Sequence, residues 1–188
     1  MQIAFDNLTF RYPDNDTKVI DRLSFSMQGP GFNAVFGPSG VGKTSLARII
    51  AGSITDHEGD IFFKDIKTVL YSYNMERLPG WSSIGRLLRQ VTPSGREALL
   101  EELTELFELR DFMESRFTQL SLGQQNRVNL LRYLVQDFDF LILDESLANV
   151  DEKLRQTILL HIKECFPDKM FLSISHNLME RNILSGKH

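Results

Sequence analysis

The sequence has only one cysteine, Cys165, and no long run of apolar residues. A single cysteine excludes a disulfide framework within the chain and is typical of a reducing compartment. Because its neighbours do not predict a lowered thiol pKa, we expect Cys165 to be a half-buried helix residue. No apolar stretch approaches the roughly 20 residues that a membrane-spanning helix needs, so we expect other chains to supply any membrane-spanning part.

A basic excess is also absent. The 188 residues include 21 Lys and Arg against 25 Asp and Glu, which gives a formal net charge of −4. Nucleic-acid binders usually carry a basic excess or a basic stripe, so no nucleic-acid partner is expected. Hydrophobic residues make up 42% of the chain and charged residues 24%, which supplies the apolar material for a core of single-domain size.

The apolar pattern predicts a mixed α/β fold. Apolar and polar residues alternate over 3–10 and 18–27, which predicts two half-buried strands in a hairpin-like layer. Further strands are predicted over 33–36, 60–73, 138–143 and 170–175, with helices from Lys43 and over 152–165. Because strands alternate with helices, we expect a three-layer α/β core.

Two more predicted helices interrupt this alternation. Leucines recur at helical spacing over 96–110, and Ser121 is placed to act as the N-cap of the next helix. They suggest a small helical subdomain. We therefore predict one domain over the whole chain, with its core in about 1–75 and 136–188 and the helical subdomain in about 76–135.

A complete G-x-x-x-x-G-K-S/T motif lies between a predicted strand and a predicted helix. It consists of Gly37, Pro38, Ser39, Gly40, Val41, Gly42, Lys43 and Thr44, and Ser45 follows it. Glycines let such a loop curl so that successive backbone N–H groups point at one anion, and the helix N-terminus adds its positive end. Lys43 is expected to bind the β- and γ-phosphates of a nucleotide, and the Thr44 hydroxyl to bind Mg²⁺. Small-molecule kinases share this loop, so the motif alone leaves the type of enzyme open.

Two carboxylates follow the predicted strand over 138–143. Asp144 is expected to lie beside the phosphate loop and to hold Mg²⁺ through water. Glu145 is expected to face the γ-phosphate, where it would polarise or deprotonate the attacking water. The alternative is a solvated pair at the end of a strand, and the phosphate loop makes it the weaker interpretation.

A signature-like segment, Leu-Ser-Leu-Gly-Gln-Gln over residues 120–125, closely resembles the L-S-G-G-Q signature of the ABC ATPases. Ser121 precedes Asp144 by 144 − 121 = 23 residues, which is similar to the interval in that family. Alone, the segment is equally compatible with an ordinary Ser-capped helix. The resemblance implies contacts with ATP held by a second subunit, made by Ser121, Leu122, Gly123 and Gln124.

Three other positions resemble functional residues of the same family. Tyr12 occupies the place of the aromatic residue that stacks on adenine, with a strand-end surface tyrosine as the alternative. Asp151 ends a segment, residues 146–151, that looks like the family's D-loop at the dimer seam, and it is equally suited to be a helix N-cap. His176 follows a predicted strand and resembles the histidine that reaches the γ-phosphate, whereas a lone histidine in that place is usually a loop residue.

Two positions depart from the family pattern. Asn74 stands where ABC ATPases carry a glutamine that touches Mg²⁺ and the attacking water, and its side chain is one methylene shorter. Leu122 stands where a glycine is usual, and its side chain would crowd the partner's nucleotide unless it points away. These departures bear on hydrolysis and coupling more than on ATP binding.

The resemblance extends from about residue 3 to residue 185. It implies a RecA-like P-loop NTPase core with an N-terminal antiparallel β layer and a small helical subdomain. It also implies an ATPase that uses ATP and Mg²⁺, pairs with a second copy of itself or a homologous subunit, and energises integral membrane permease subunits from the cytoplasmic face of the cell membrane. Residues 78–83, Leu-Pro-Gly-Trp-Ser-Ser, faintly resemble a stretch of nitrate and sulfonate importers, which favours import over export.

Two other functional classes remain open. The first is a soluble ABC-type ATPase without a membrane partner; such proteins often carry long insertions or tandem ATPase domains, which do not occur in this sequence. The second is a P-loop kinase, which would lack the signature helix and the Asp144 and Glu145 pair in this order.

Overall fold

The computed structural model describes residues 1–13 and 15–175 of the chain. Its strands are β1 (Gln2–Phe10), β2 (Ile20–Gln28), β3 (Gly31–Val35), β4 (Glu58–Lys64), β5 (Val69–Tyr73), β6 (Phe140–Asp144) and β7 (Met170–Ile174). Its α-helices are α1 (Lys43–Ile50), α2 (Ile84–Val91), α3 (Glu97–Leu106), α4 (Leu122–Leu134) and α5 (Glu152–Cys165).

The described residues form two compact units. The first contains Met1–Tyr71, Phe138–Asp144 and residues 166–175, and the second contains Ser72–Asp137 and Glu145–Cys165. The second unit is longer than the predicted helical subdomain, because it also includes the segment that follows β6 and the helix α5.

The first unit contains an antiparallel sheet with strand order β2-β1-β4. Its β1 strand buries Ile3, Phe5, Leu8 and Phe10, so the alternation seen in the sequence faces one core. The predicted hairpin-like layer is confirmed, since β1 pairs antiparallel with β2. It gains a third strand, because β4 pairs antiparallel with the other edge of β1.

The second sheet has the order β3-β7-β6-β5, with β7 parallel to both of its paired neighbours β3 and β6. Every residue of β6 and β7 is buried, as expected for continuous apolar runs in a parallel sheet. Val35, Ile174 and Asp144 occupy one row across β3, β7 and β6. The carboxyl ends of these strands therefore reach the same edge of the sheet.

One apolar core in the first unit joins both sheets to α1. The helix contributes Leu46, Ala47, Ile49 and Ile50, which are at most 5% exposed. The same cluster includes residues of β1 and β2 and of β6 and β7. The phosphate-loop motif thus lies between a paired strand and a helix that is anchored in the core.

The second unit is mainly helical. The inward-facing residues predicted for the helix after Ser121 are confirmed, because Val128, Leu131 and Leu134 of α4 are fully buried. Helix α2 buries Ile84 and Leu88 and was not predicted from the sequence. In the part of the chain that the structure describes, no helix is both long and apolar enough to cross a membrane.

The expectation for Cys165 is wrong in one respect. The residue is exposed rather than half-buried, because it is the last residue of α5 and lies where the helix ends. Slight desolvation, followed by the charges of Glu102 and Glu164, raises the pKa of its thiol. The thiol therefore lacks the lowered pKa of a reactive cysteine.

Candidate functional site

The phosphate loop has a backbone shape that requires glycine. Gly40 and Gly42 adopt φ angles of 84° and 96°, which lie in the left-handed region. A Cβ atom on Gly42 would also lie 2.8 Å from Cγ1 of Val19. The motif glycine that directly precedes α1 is therefore fixed by both conformation and space.

Lys43 closes this loop on itself. Its side chain is only 8% exposed, and its Nζ donates hydrogen bonds to the carbonyl oxygens of Gly37 at 2.8 Å and Pro38 at 2.7 Å. An ammonium group has three donors, so one N–H remains for an oxygen of a bound anion. The arrangement places a full positive charge inside the curl of the loop, where a phosphate group would bind.

The first turn of α1 presents one hydroxyl to solvent and buries the next. Thr44 is exposed, whereas Ser45 is only 5% exposed and its Oγ lies 3.0 Å from the hydroxyl oxygen of Tyr12. The Tyr12 ring packs edge-on against Phe10, with ring centroids 4.9 Å apart, and the residue is 39% exposed. Tyr12 is thus held beside the phosphate-loop helix with part of its ring open to solvent.

Asp144 ends β6 at the same sheet edge as the phosphate loop. Adjacent strands are about 4.8 Å apart, so its Cα lies about 10 Å from that of Val35, the last β3 residue before the loop. The carboxylate is nearly buried, and its Oδ2 accepts a hydrogen bond of 2.9 Å from the Tyr71 hydroxyl. Burial and then the Asp144 charge raise the pKa of Tyr71, so the phenol stays a donor. Sequence reasoning missed Tyr71. The signal for it is its position near the end of β5, the strand beside β6.

These residues fit a hard divalent cation. Magnesium binds oxygen ligands and usually keeps several waters, with one or two carboxylates from the protein. Thr44 offers an exposed hydroxyl at the start of α1, and Asp144 offers a carboxylate at the end of β6. Both belong to the first unit, and the chemistry of this donor set agrees with the predicted Mg²⁺ ligands.

In the second unit, Glu145 has a strained backbone. Its φ angle is 53°, in the left-handed region that costs a non-glycine residue about 1 to 3 kcal/mol. Such strain concentrates at functional sites. The next residue, Ser146, is anchored by a hydrogen bond of 2.9 Å from its Oγ to the Ser72 carbonyl. The conformation agrees with a special role for Glu145, which stays a prediction.

The signature-like segment forms the N-terminus of α4. Ser121 is its N-cap in a full capping box: Ser121 Oγ accepts from the Gln124 N–H at 3.3 Å, and the Ser121 N–H donates to Gln124 Oε1 at 2.8 Å. The predicted N-cap role of Ser121 is thus confirmed. Ser121 is nevertheless exposed, and Leu122 is 52% exposed and contributes little to the core.

Gly123 is required by close packing within the second unit. A Cβ atom at this position would lie 2.3 Å from the backbone oxygen of Asn149. The first turn of α4 therefore lies directly against the D-loop segment, residues 146–151. This contact explains why a glycine is needed at position 123, in addition to the anion contact that the family resemblance implies.

Asn126 connects three segments of the second unit. It is 2% exposed, and its Nδ2 donates to Asn74 Oδ1 at 2.9 Å and to the Ala148 carbonyl at 2.6 Å. Its Oδ1 accepts from the Met75 N–H at 3.3 Å. The side chain of Asn74 is therefore turned towards α4. Sequence reasoning missed Asn126, although an asparagine on the inner face of an amphipathic helix is the signal for it.

The two remaining predicted residues have different outcomes. Asp151 is the N-cap of α5, because its Oδ1 accepts from the backbone N–H groups of Lys153 at 3.0 Å and Leu154 at 3.2 Å. Its place at a dimer seam stays a prediction. His176 lies outside the described residues, directly after Ser175.

Comparisons with known proteins agree with this arrangement. The chain is 30% identical over 179 residues to the sn-glycerol-3-phosphate import ATP-binding protein UgpC of Ruegeria pomeroyi, covering 86% of this chain and 50% of that protein. It is 31% identical over 179 residues to the Fe(3+) ions import ATP-binding protein FbpC of Fusobacterium nucleatum, covering 87% and 48%. The chain spans about half the length of the curated relatives it matches.

A solved structure and a family model complete the comparison. The structure of a bacterial Atm1-family ABC exporter with ATP bound matches 95% of this chain and 35% of its own, with a TM-score of 0.83 and 23% identity, and it shows the fold. The family model described as ABC transporter matches residues 20–148, which is more than half of the chain. This chain belongs to the ABC transporter family, as an ATP-binding domain.

Proposed function

We propose that this chain is the ATP-hydrolysing subunit of an ABC importer and that it works as a dimer. The observation that carries the proposal is the phosphate loop closed on Lys43, with Asp144 at the same sheet edge. A buried carboxylate and a lysine whose ammonium group lies inside a curled loop are the groups that hold a nucleoside triphosphate and its metal ion.

The first unit would bind the nucleotide. Backbone N–H groups of the phosphate loop and the free N–H of Lys43 would hold the phosphates, and Tyr12 would stack on adenine. Thr44 and Asp144 would hold Mg²⁺, which supplies positive charge against the phosphate oxygens.

Three further residues would serve hydrolysis. Glu145 is proposed to orient and deprotonate the attacking water. Asn74 would contact the same water, after its carboxamide leaves the hydrogen bond with Asn126. His176 would sense the γ-phosphate, a role that depends on the sequence resemblance alone.

A second chain would complete each nucleotide site. Ser121, Gly123 and Gln124 at the N-terminus of α4 would face the terminal phosphate bound by the partner, where the helix dipole favours an anion. The exposure of Ser121 and Leu122 supports this, because a residue that contacts a partner must reach the surface. Asp151 would lie at the seam, and ATP binding would close the pair.

Import is the proposed direction of transport, with integral membrane permease subunits as partners at the cytoplasmic face. The relatives support it, because they are import ATP-binding proteins for sn-glycerol 3-phosphate and for ferric ions. Their substrates differ, so they do not favour a nitrate or sulfonate group. That finer assignment still depends on residues 78–83, in which Trp81 is 82% exposed.

The catalytic proposal is tested by phosphate release from Mg-ATP without any acceptor. Lys43→Ala is expected to lower the rate by about 100-fold or more, because it removes the charge that holds the phosphates. Lys64→Ala, at an exposed lysine on β4, is the matched control and should leave the rate unchanged. Phosphate transfer that requires a second substrate would instead identify a kinase.

The dimer proposal is tested with Glu145→Gln. This variant should bind ATP without hydrolysing it and elute as a dimer from a sizing column, whereas the same variant with ADP should elute as a monomer. A variant that binds ATP and stays monomeric would overturn the dimer mechanism. Copurification of the native chain with a multi-span membrane protein tests the coupling to transport.

A further inference from the structure

Three potential metal ligands meet on the surface of the second unit. Glu102 belongs to α3, whereas His161 and Cys165 belong to α5, one helical turn apart. His161 Nε2 lies 2.9 Å from Glu102 Oε1 and 3.2 Å from Cys165 Sγ, and the sulfur lies 3.9 Å from the same carboxylate oxygen. One carboxylate, one imidazole and one thiol thus converge from two helices that are distant in sequence.

The separations are close to those of a tetrahedral metal site. With bond lengths of about 2.0 to 2.2 Å to nitrogen and oxygen and about 2.3 Å to sulfur, neighbouring ligand atoms lie about 3.4 to 3.6 Å apart. The observed separations of 2.9, 3.2 and 3.9 Å lie on both sides of that range. Shifts of a few tenths of an ångström would suffice, and the Glu102 side chain, which is 52% exposed, is free to make them.

We propose that Glu102, His161 and Cys165 form a surface site for a thiophilic divalent cation, with Zn²⁺ as the best match. Zinc favours imidazole and thiolate ligands, accepts a carboxylate, and commonly takes three protein ligands with a fourth position for water. On binding, Cys165 loses its proton to solvent and forms the metal–sulfur bond. A thiolate, a carboxylate and a neutral imidazole carry two negative charges, which match the dication.

The proposed zinc site differs from the proposed Mg-ATP site in the chemical type of its ligands. Mg²⁺ binds hard oxygen ligands, so the nucleotide's metal has little affinity for a cysteine and histidine pair. The proposed ion would link α3 to the C-terminal end of α5. Helix α5 directly follows the D-loop segment, so an ion there would restrain the helix to which that segment is joined.

Cobalt binding tests the proposal on the full chain, with any affinity tag removed, cysteine reduced and nucleotide absent. Co²⁺ should bind with one equivalent and give a thiolate-to-cobalt charge-transfer absorption, which Zn²⁺ should abolish by competition. Cys165→Ser should lose that absorption completely. His161→Gln and Glu102→Gln should each weaken binding by about tenfold or more, because each removes one of three ligands.

Matched controls separate this site from other metal-binding residues. Glu114→Gln changes an exposed carboxylate elsewhere in the second unit, and His57→Gln changes a histidine of the first unit, so both should keep the wild-type affinity. Circular dichroism checks that each variant is folded. We expect the variants to fold, because the cysteine and carboxylate ligands are exposed. Absence of the charge-transfer band at one equivalent would overturn the proposal. Unchanged affinity in both His161→Gln and Glu102→Gln would overturn it as well.

Discussion

The two units hold their candidate site residues by different means. In the first unit, backbone geometry shapes the phosphate loop, through left-handed glycines and through the row of Val35, Ile174 and Asp144. In the second unit, one buried side chain, Asn126, joins Asn74 to the D-loop segment. Away from those glycines, main-chain geometry tolerates most side-chain changes, whereas a network centred on one amide depends on that residue. Polar truncation should therefore be most damaging in the second unit.

The largest effect is expected for Asn126→Ala. The variant loses three hydrogen bonds and leaves the Ala148 carbonyl and the Met75 N–H without this partner, so the free energy of unfolding should fall by about 3 kcal/mol. Urea unfolding followed by circular dichroism measures this change. Hydrogen exchange should accelerate at residues 74–76 and 146–150 in the same variant.

Asn74→Ala is the graded control for this prediction. It removes one of the three bonds and should lower the free energy of unfolding by about 1 kcal/mol. Equal losses in the two variants would contradict the central position of Asn126, and the contrast between the units would then disappear.

Gly123→Ala should have the next largest effect. The added methyl group would lie 2.3 Å from the Asn149 oxygen, which forces the D-loop segment or α4 to move. Overpacking of this kind costs about 1 to 3 kcal/mol, and thermal or urea unfolding would detect it. Leu122→Ala, at the adjacent exposed position, should stay within about 0.5 kcal/mol of wild type. If Gly123→Ala is as stable as wild type, the close contact with the Asn149 oxygen does not restrict the residue at this position.

This contrast between local backbone geometry and long-range side-chain contacts also explains which features could be predicted from the sequence. Periodicity located β1, β2 and α4, because each buries one regular face. The phosphate loop was predictable, because its glycines and Lys43 act at fixed spacing within one segment. In α2, by contrast, the apolar face is short and Gly85 interrupts it, so periodicity gave too weak a signal.

Long-range side-chain pairs were beyond prediction from one sequence. Asn126 and Asn74 are separated by 52 positions, and Tyr71 and Asp144 by 73, so no local pattern records either contact. The exposure of Cys165 depends on where α5 ends, and helix ends are the least certain feature of a periodic pattern.

Tyr71→Phe sharpens the comparison, because it removes a side-chain hydrogen bond from the first unit. The loss should be about 1 kcal/mol in the free energy of unfolding. A double-mutant cycle with Asp144→Asn isolates the pair, and a coupling energy close to zero would contradict the bond. The effect should not change between pH 6 and pH 9, because burial and the Asp144 charge raise the pKa of Tyr71 and keep the phenol protonated.

The smallest effect is expected for Asp139→Asn, just before β6. Asp139 Oδ2 accepts hydrogen bonds from the backbone N–H groups of Lys67 at 2.7 Å and Thr68 at 2.9 Å, which lower the pKa of the carboxyl. The carboxylate is well solvated, so the substitution should cost only about 0.5 kcal/mol at pH 7. Urea unfolding of the variant beside wild type measures this difference.

The pH dependence of that difference has a definite sign. Because the folded-state pKa of Asp139 lies below the unfolded value of about 3.9, the unfolded chain binds more protons between the two values. The stabilisation is therefore complete above the unfolded pKa and is lost as the pH falls through the folded one. If the Asp139→Asn difference persists unchanged at pH 3, the backbone contacts act through packing rather than through charge.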